Sequence, residues 1–141
     1  MKKLNIILIF IAMLLPLSSC LHNNGDIGTW FGQWKVTEVQ INGEKDPKYK
    51  GDGFFCFQSS TFKLVQSYPE DNNATSIFGN WEEKDGYISV FFHDREDSPW
   101  LRGYFHLDKK SMLTVVKRKG DKVLKYTAED GNEYTYFLKK W

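Results

Sequence analysis

Beyond residue 30 the chain consists of short apolar runs separated by turn residues. In the run that holds Ile88, Val90 and Phe92, large apolar side chains occupy every second position, which is the period of a β-strand with one buried face. Turn sequences such as Asn42-Gly43 and Lys84-Asp85-Gly86 separate the runs and are typical of tight hairpins. The pattern predicts eight or nine strands. These cover residues 34–41, 54–58, 61–68, 75–83, 87–93, 100–107, 112–117, 123–127 and 133–139.

The first predicted strand changes its apolar phase part-way along. Trp34 and Val36 occupy one phase, whereas Val39 and Ile41 occupy the other. One extra residue in a strand produces such a switch and bends the strand. We therefore expect a β-bulge near Thr37-Glu38, with the curvature that a barrel needs.

Short connections between successive strands predict an all-β fold. We expect an up-and-down antiparallel meander closed into an eight-stranded barrel, with nine strands as the alternative. Closure removes the exposed sheet edges that would otherwise invite aggregation. Gly32-Gln33-Trp34 begins the first strand, and the Trp34 indole is expected to close the bottom of the barrel. No stretch after residue 20 has a convincing 3.6-residue period, so helix is limited to one turn, around Ile27 to Phe31.

The first 19 residues have the composition of a bacterial signal peptide. Lys2 and Lys3 precede a run of 14 residues, Leu4–Leu17, that is apolar apart from Asn5. A membrane-spanning helix needs about 20 apolar residues, so this run is better suited to the h-region of a signal peptide. Leu17-Ser18-Ser19-Cys20 then resembles the lipobox of bacterial lipoproteins, in which the cysteine thiol receives a diacylglycerol.

The lipobox divides the chain into three parts. Residues 1–19 are a cleaved signal peptide, residues 20–27 are the lipidated cysteine with a flexible tether, and residues 28–141 form the barrel domain. By this resemblance, acylated Cys20 anchors the protein to a membrane of the cell envelope. Leu21 follows Cys20 where aspartate would signal retention in the inner membrane of some bacteria. The outer membrane is therefore the predicted location, and the leaflet, periplasmic or surface-facing, stays open.

Composition narrows the class of protein further. Phe, Trp and Tyr make up 16% of the chain, a rich supply of large side chains for one small core. Without Lys2 and Lys3, 17 basic residues remain beside 18 acidic ones. This balance argues against a nucleic-acid-binding protein, which usually has a basic face. If Cys20 is acylated, Cys56 has no disulfide partner, and its place between phenylalanines predicts a small buried side chain.

From Gly28 to Lys140 the chain resembles the lipocalin-like lipoproteins of anaerobic gut Gram-negative bacteria. The resemblance rests on the lipobox, on Gly32-Gln33-Trp34 at the start of strand one and on the later Gly79-Asn80-Trp81. The closing stretch Tyr134–Lys140, rich in aromatics and lysine, adds to it. The resemblance implies a calycin-type barrel and a small hydrophobic ligand.

The same family likeness indicates which side chains matter. It implies a cation stacked on Trp34, and Arg102, Lys139 or Lys140 could provide it. Gly32, Trp34, Gly79 and Trp81 are the structural positions of the two Gly-x-Trp sequences. Strand alternation predicts ten inward side chains as candidate ligand-binding residues. These are Phe55, Phe62, Leu64, Ile77, Trp81, Ile88, Val90, Phe92, Leu101 and Phe105.

Sequence patterns for catalysis or metal binding are absent. The chain has no glycine-rich phosphate loop, no Cys-x-x-Cys and no Gly-x-Ser-x-Gly. His93 and His106 could meet across one face, but without a third ligand of fixed spacing they predict a surface pair rather than a metal site. Glu82-Glu83 with Asp85 is interpreted as a solvated turn. We therefore expect a protein that is not an enzyme and has no metal or cofactor.

Two functions remain open. The first is a membrane-anchored binding protein that holds a small hydrophobic ligand in the barrel. The second is a non-catalytic interaction or assembly module with a side-chain-filled barrel and a protein partner. The second is favoured by aromatic residues on both strand faces, among them Phe54, Phe57, Phe78, Tyr87 and Phe91. Family resemblance favours the first, and the sequence leaves the oligomeric state open.

Overall fold

The computed structural model describes residues 28–93, 98–117 and 121–141. This part of the chain contains nine strands, one short α-helix and one 3₁₀ turn. In chain order the elements are β1 (Gly32–Ile41), β2 (Glu44–Lys45), β3 (Gly53–Gln58), β4 (Thr61–Tyr68), the 3₁₀ turn (Pro69–Asp71), β5 (Asn73–Lys84), β6 (Tyr87–Phe92), α1 (Pro99–Tyr104), β7 (Lys110–Lys117), β8 (Lys122–Thr127) and β9 (Glu133–Lys140).

Eight of the strands form a closed antiparallel barrel. Strands β3 to β9 pair in chain order, β1 pairs with β3, and β9 returns to pair with β1. The two-residue strand β2 pairs with the end of β1 and is an extra hairpin arm outside the ring. The predicted all-β meander and its eight-stranded closure are therefore confirmed.

The predicted bulge is present in β1. Along β9, Val36 pairs with Leu138 and Glu38 pairs with Phe137, which leaves Thr37 as the extra residue. The Thr37 hydroxyl donates a hydrogen bond of 3.1 Å to the Phe137 carbonyl. The bulge lets β1 contribute buried residues on both sides of Thr37, although their sequence phases differ.

Two of the predicted hairpin turns have the backbone that their sequences favour. Asn42 and Gly43 have φ of 52° and 88°, and Asp85 and Gly86 have φ of 53° and 83°. Type I′ hairpins need positive φ at both central residues, which glycine adopts without strain and Asn or Asp tolerate. These turns set the register of the strands that they join.

The strand predicted at Trp100–Leu107 is wrong, because its first half is helix α1. Pro99 stands in the first turn, where its fixed φ suits a helix and its missing N–H costs nothing. Leu101 and Phe105 are both fully buried and four residues apart, which is a helical spacing. Gly103, expected on the same face, is exposed. Residues four apart share a face both in a strand and in a helix. Gly103 would point inward only in a strand, and because glycine has no side chain, the sequence does not show which of the two forms.

Three smaller predictions also need correction. The loop predicted from Glu44 to Asp52 contains β2, and the loop predicted from Pro69 to Asn73 contains the 3₁₀ turn. Helix was expected to be at most one turn, around Ile27 to Phe31, and this is wrong, because Gly28–Trp30 forms a non-helical turn and the six-residue α1 lies elsewhere; Ile27 is outside the described residues. The predicted loop Asp94–Pro99 and the turn Lys119-Gly120-Asp121 fall mostly outside the described residues.

The lower end of the barrel is closed by two indoles. Trp30 and Trp34 lie 5.6 Å apart between ring centroids, and the Trp34 Nε1–H donates to the Trp30 carbonyl at 2.7 Å. Lys122 Nζ lies 4.1 Å from the Trp30 ring centroid, and Lys140 Nζ lies 4.8 Å from that of Trp34. Lys140 also donates to the Phe31 carbonyl. The expected position of Trp34 is confirmed.

Of the three cations proposed to stack on Trp34, Lys140 does so. Arg102 instead donates to the Leu107 carbonyl at 3.1 Å, at the end of α1. The side-chain alternation of β9 places Lys139 on the outer face, and its backbone partner in the β1–β9 ladder is Lys35. The Trp34 ring is thus covered by cations that come from the end of β9 and, at 5.2 Å, from Lys122 at the start of β8.

Truncation of Trp34 should be costly. We expect Trp34→Ala to lower the free energy of unfolding by about 3–5 kcal/mol, because a large buried ring is lost and the cavity collapses only partly. Urea unfolding measures this change. Trp100→Ala, which removes an exposed indole from α1, is the matched control and should stay within about 0.5 kcal/mol of the parent. Equal unfolding midpoints for the parent and Trp34→Ala would contradict the assignment.

The two glycines Gly79 and Gly103 should respond to alanine in opposite directions. A Cβ atom at Gly79 would lie 2.3 Å from the Phe91 carbonyl oxygen, and this backbone atom cannot move aside. We expect Gly79→Ala to cost about 1–3 kcal/mol. A Cβ atom at Gly103 meets nothing within 4 Å, so Gly103→Ala should stabilise α1 by about 0.5–1 kcal/mol. Thermal unfolding of both variants tests the pair.

Candidate ligand-binding sites inside and outside the barrel

The ten predicted interior residues all lie in the barrel core. Nine of them are at most 2% exposed, and Trp81 is half-buried against the same core. Eight come from strands β3 to β6, as the alternation predicted, whereas Leu101 and Phe105 come from α1 and from the residue that ends it. The structure therefore brings together the whole predicted set.

The core is a network of aromatic rings in contact. Phe62 lies 5.4 Å from Phe55, 5.1 Å from Phe57 and 5.9 Å from Phe92 between ring centroids. Phe55 in turn lies 5.8 Å from Phe105, which belongs to the upper end. These are the distances of tilted and edge-to-face packing. The rings therefore form a continuous set of contacts that runs from Phe57 to Phe105 at the end of α1.

One polar atom in this network has no hydrogen-bond partner among the described residues. It is Nε1 of Trp81, which is buried although the ring as a whole is half-buried. The Trp81 ring packs edge-on against Phe57 at 4.9 Å. A buried N–H without an acceptor is costly, and this indole is the one side chain of the described core whose polar atom is left unsatisfied.

The upper end is closed by α1 and by polar contacts around it. The Tyr136 hydroxyl donates to the Phe105 carbonyl at 2.7 Å, and the Tyr49 hydroxyl donates to the Val36 carbonyl at 2.7 Å. Tyr49 also accepts from the Gly53 N–H at 3.0 Å. Burial raises the pKa of Tyr49 and of Tyr136 far above the usual value of 10. Both hydroxyls therefore remain protonated donors.

A buried carboxylate links the hairpin arm to the end of α1. Asp46 is 2% exposed, and its Oδ2 lies 2.7 Å from His106 Nε2. The Lys48 N–H donates to the other oxygen at 2.9 Å. His106 has a left-handed backbone with φ of 54°, and its ring stacks on Tyr134 at 4.5 Å with 8° between the planes. The contact thus ties together three separate parts of the upper end.

The expected pairing of His93 with His106 does not occur. His93 Nε2 lies 3.0 Å from Asn80 Oδ1 on the outer wall, whereas His106 bonds Asp46. Within the described ranges, no three His, Cys, Asp or Glu side chains are grouped so that they could hold a metal ion. Cys56 is buried, as predicted, and burial raises the pKa of its thiol.

Outward aromatic residues mark the outer wall. Five aromatic residues were predicted to be divided between the two faces of their strands. Of these, Phe57 points inward, and Phe78, Tyr87 and Phe91 are exposed. Phe54 also points outward but is buried, because the Trp141 ring covers it edge-on at 5.3 Å. The outer face of β3 is therefore apolar where a barrel wall is usually polar.

Trp141 stands between two grooves on this wall. The larger has a volume of about 510 Å³ and is lined by three rings, those of Trp141, Phe54 and Tyr68, with Lys35 and Lys50 beside them. Its remaining lining residues are Gly51, Asp52, Ser67, Pro69, Glu70 and Asp71. The smaller groove, of about 350 Å³, lies on the other side of Trp141 and is lined by Lys35, Thr37, Gly51, Lys139, Lys140 and Trp141.

No pattern in the sequence predicts the site around Trp141. Trp141 follows two lysines and carries no strand alternation or turn signal that would assign it a role. Trp30 was also missed as a core residue, although it lies four residues before Trp34 in the same aromatic stretch. Trp30 lies just before β1 and Trp141 just after β9, where strand alternation does not apply, so the position of each ring is decided by tertiary contacts.

The predicted signal peptide and tether and Cys20 lie outside the described residues, so cleavage, lipidation and membrane anchoring stay predictions. Among the helices that are described, none has the length and apolar character to cross a membrane.

The closed eight-stranded meander with an indole at its lower end has the lipocalin-like fold. Comparison with solved structures agrees with this. A lipocalin-like protein from Bacteroides uniformis superimposes with a TM-score of 0.63 at 21% identity, covering 81% of this chain and 100% of that one. An uncharacterized protein from Bacteroides eggerthii has a TM-score of 0.61 at 17% identity, with 79% and 99% covered. The fold implied by the sequence resemblance is thus confirmed.

No protein-family model and no curated protein match the chain.

The Asp46 contact predicts an acid-dependent loss of stability. Burial by itself raises the pKa of Asp46, but the hydrogen bonds from His106 and Lys48 outweigh burial and hold it below its usual 3.8. The folded state therefore favours the carboxylate, whose contribution is present above the usual pKa and is lost as the pH falls through the lowered one. Asp46→Asn should lower stability at neutral pH and flatten its decline below pH 3.8. Urea unfolding at several pH values measures this, and identical slopes would contradict it.

Proposed function

We propose that the chain is a non-catalytic binding protein of the bacterial cell envelope. In this proposal the filled barrel is a rigid scaffold, and recognition takes place on its outer surface. The observation that carries the proposal is the ring network that occupies the interior between two closed ends. A ligand entering this interior would have to displace several close-packed rings, each of which contributes to stability.

Anchoring through Cys20 is the second element of the proposal. It is supported by the lipobox Leu17-Ser18-Ser19-Cys20 behind an apolar run of signal-peptide length. We place the anchored domain at the outer membrane, because Leu21 is not the aspartate of an inner-membrane retention signal. The near-neutral charge of the chain after Cys20 supports a partner other than nucleic acid.

The proposal that the protein is not an enzyme rests on the chemistry of its polar groups. His106 is engaged by Asp46 and stacked on Tyr134, and His93 lies apart from it on the outer wall. The Cys56 thiol is buried and has a raised pKa, which keeps it protonated and unreactive. These groups act within the fold rather than as nucleophile or base.

A second candidate function is favoured by Trp81. It is the interior binding of a small hydrophobic ligand, with the ten core residues as its contacts. The buried Trp81 N–H without a partner in the described chain could donate to one polar atom of such a ligand. The ligand would also have to move neighbouring rings such as Phe57.

Mass spectrometry of the full chain, made with its own leader in a bacterial host, tests both proposals. We expect a denatured mass that begins at Cys20 and includes acyl chains, and Cys20→Ala should lack this addition. Native spectra should show no further mass that is lost on extraction with organic solvent. A reproducible extra mass that persists in Trp141→Ala would refute the filled scaffold and support interior binding. An unmodified Cys20 would refute the anchor.

A further inference from the structure

The larger groove beside Trp141 has the properties of a small-molecule site. Its volume of about 510 Å³ is within the usual range of ligand pockets, roughly 300–1,000 Å³. Its apolar surface comes from three aromatic rings, and its cations come from two lysines on different elements, Lys35 in β1 and Lys50 in the loop before β3. Sites of this kind combine an apolar platform with a few polar groups that orient the ligand.

We propose that this groove binds a small organic anion that carries a flat apolar ring. The ring stacks on Trp141, and the anionic group lies near Lys50 and Lys35. This inference rests on the proposed function, since it names the site and ligand class of an outer-surface binding protein. No covalent step is involved.

The Trp141 ring is held in place although its side chain is 70% exposed. Its backbone N–H donates to the Gln33 carbonyl at 3.0 Å, which extends the pairing of β9 with β1 by one residue. The ring rests edge-on against Phe54 with 75° between the planes. An exposed indole with a fixed backbone and a buried ring beneath it loses little conformational freedom when a ligand stacks on it.

The charges around the groove favour an anion at one side. Lys35 Nζ lies over the Trp141 ring, 5.3 Å from its centroid, so a positive charge already stands at one face of the indole. Both oxygens of Asp52 accept hydrogen bonds, at 2.7 Å from the Tyr104 hydroxyl and at 3.0 Å from the Gln66 amide. These neutral donors fix the position of the Asp52 carboxylate, and its negative charge stays in the groove together with those of Glu70 and Asp71.

The remaining acids set the direction of binding. Glu70 and Asp71 belong to the 3₁₀ turn after β4, whereas Lys35 is in β1 and pairs with Phe54 of β3. The acids and Lys35 therefore lie on opposite sides of β3. An anionic group is repelled from the β4 side and attracted to the lysine side, so the ligand has one preferred orientation.

The second groove supports the same chemistry on the other side of the indole. It shares Trp141, Lys35 and Gly51 with the first and adds Lys139 and Lys140. Lys140 is directed to the Trp34 ring, but the exposed Lys139 remains at this surface. A molecule stacked on either side of Trp141 thus meets a lysine.

Calorimetric titration of the full chain with 2-naphthoate and with its neutral amide, 2-naphthamide, tests the proposal. The two probes share the ring and differ in charge. We expect saturable binding of naphthoate that weakens with added salt, and weaker binding of the amide.

Trp141→Ala should weaken the binding of naphthoate by about tenfold or more, and Trp141→Phe should recover part of that loss. Lys50→Gln should weaken naphthoate by about two- to fivefold and leave the amide unchanged.

Two matched variants control for nonspecific effects. Trp100→Ala removes another exposed indole, and Lys110→Gln removes another exposed lysine, both at positions outside the two grooves. Neither should change the binding of naphthoate. Near-ultraviolet circular dichroism and thermal unfolding of each variant establish that it is folded before titration.

Several results would overturn the proposal. These are no saturable binding of naphthoate, binding that Trp141→Ala leaves unchanged, or equal affinity for acid and amide. Failure here is distinct from failure of the proposed function. If naphthoate does not bind and native spectra show a chain without ligand, the groove proposal fails while the filled scaffold stands. If an extracted mass persists in Trp141→Ala, the filled scaffold itself fails.

Discussion

The pairing of β1 with β9 is the interaction on which the rest of the structure depends. Without it the same strands would form an open sheet with two unpaired edges and no enclosed interior. The extra residue Thr37 bends β1 so that it can pair with both β3 and β9 and still present buried residues along its whole length. Closure also brings Lys140 to the Trp34 ring and carries Trp141 onto the outer wall.

Closure has a consequence for where recognition can occur. A barrel of eight strands encloses room for side chains or for one small ligand, and here aromatic rings project into that room. Indoles close the lower end, while α1 and the Asp46–His106 contact close the upper end. Large side chains that do not fit inside remain on the wall, and those near Trp141 are arranged with lysines around two grooves. The scaffold and the proposed site thus follow from one distribution of aromatic residues.

Local sequence patterns are sufficient where the structure depends on neighbouring residues. Alternation identified the inward residues of β3 to β6, and Asn42-Gly43 and Asp85-Gly86 identified the turns after β1 and after β5, because both signals depend on neighbours in the chain. Alternation failed at α1, where Leu101 and Phe105 suit a strand or a helix equally and Pro99 favours the latter. The ten interior residues were predicted correctly as a set, but whether they surround a cavity depends on how their volumes fit together.

The sequence by itself determined the strand order, the hairpins, the bulge and the identity of most core residues. These follow from side-chain periodicity and turn chemistry, which act over a few residues. Only the tertiary structure decided that the aromatic rings of the core touch one another, that Asp46 meets His106 and that Trp141 covers Phe54. Each of these contacts joins residues that are far apart in the chain. It therefore forms only when the barrel has closed, because closure fixes the stagger of the strands and with it which side chains meet.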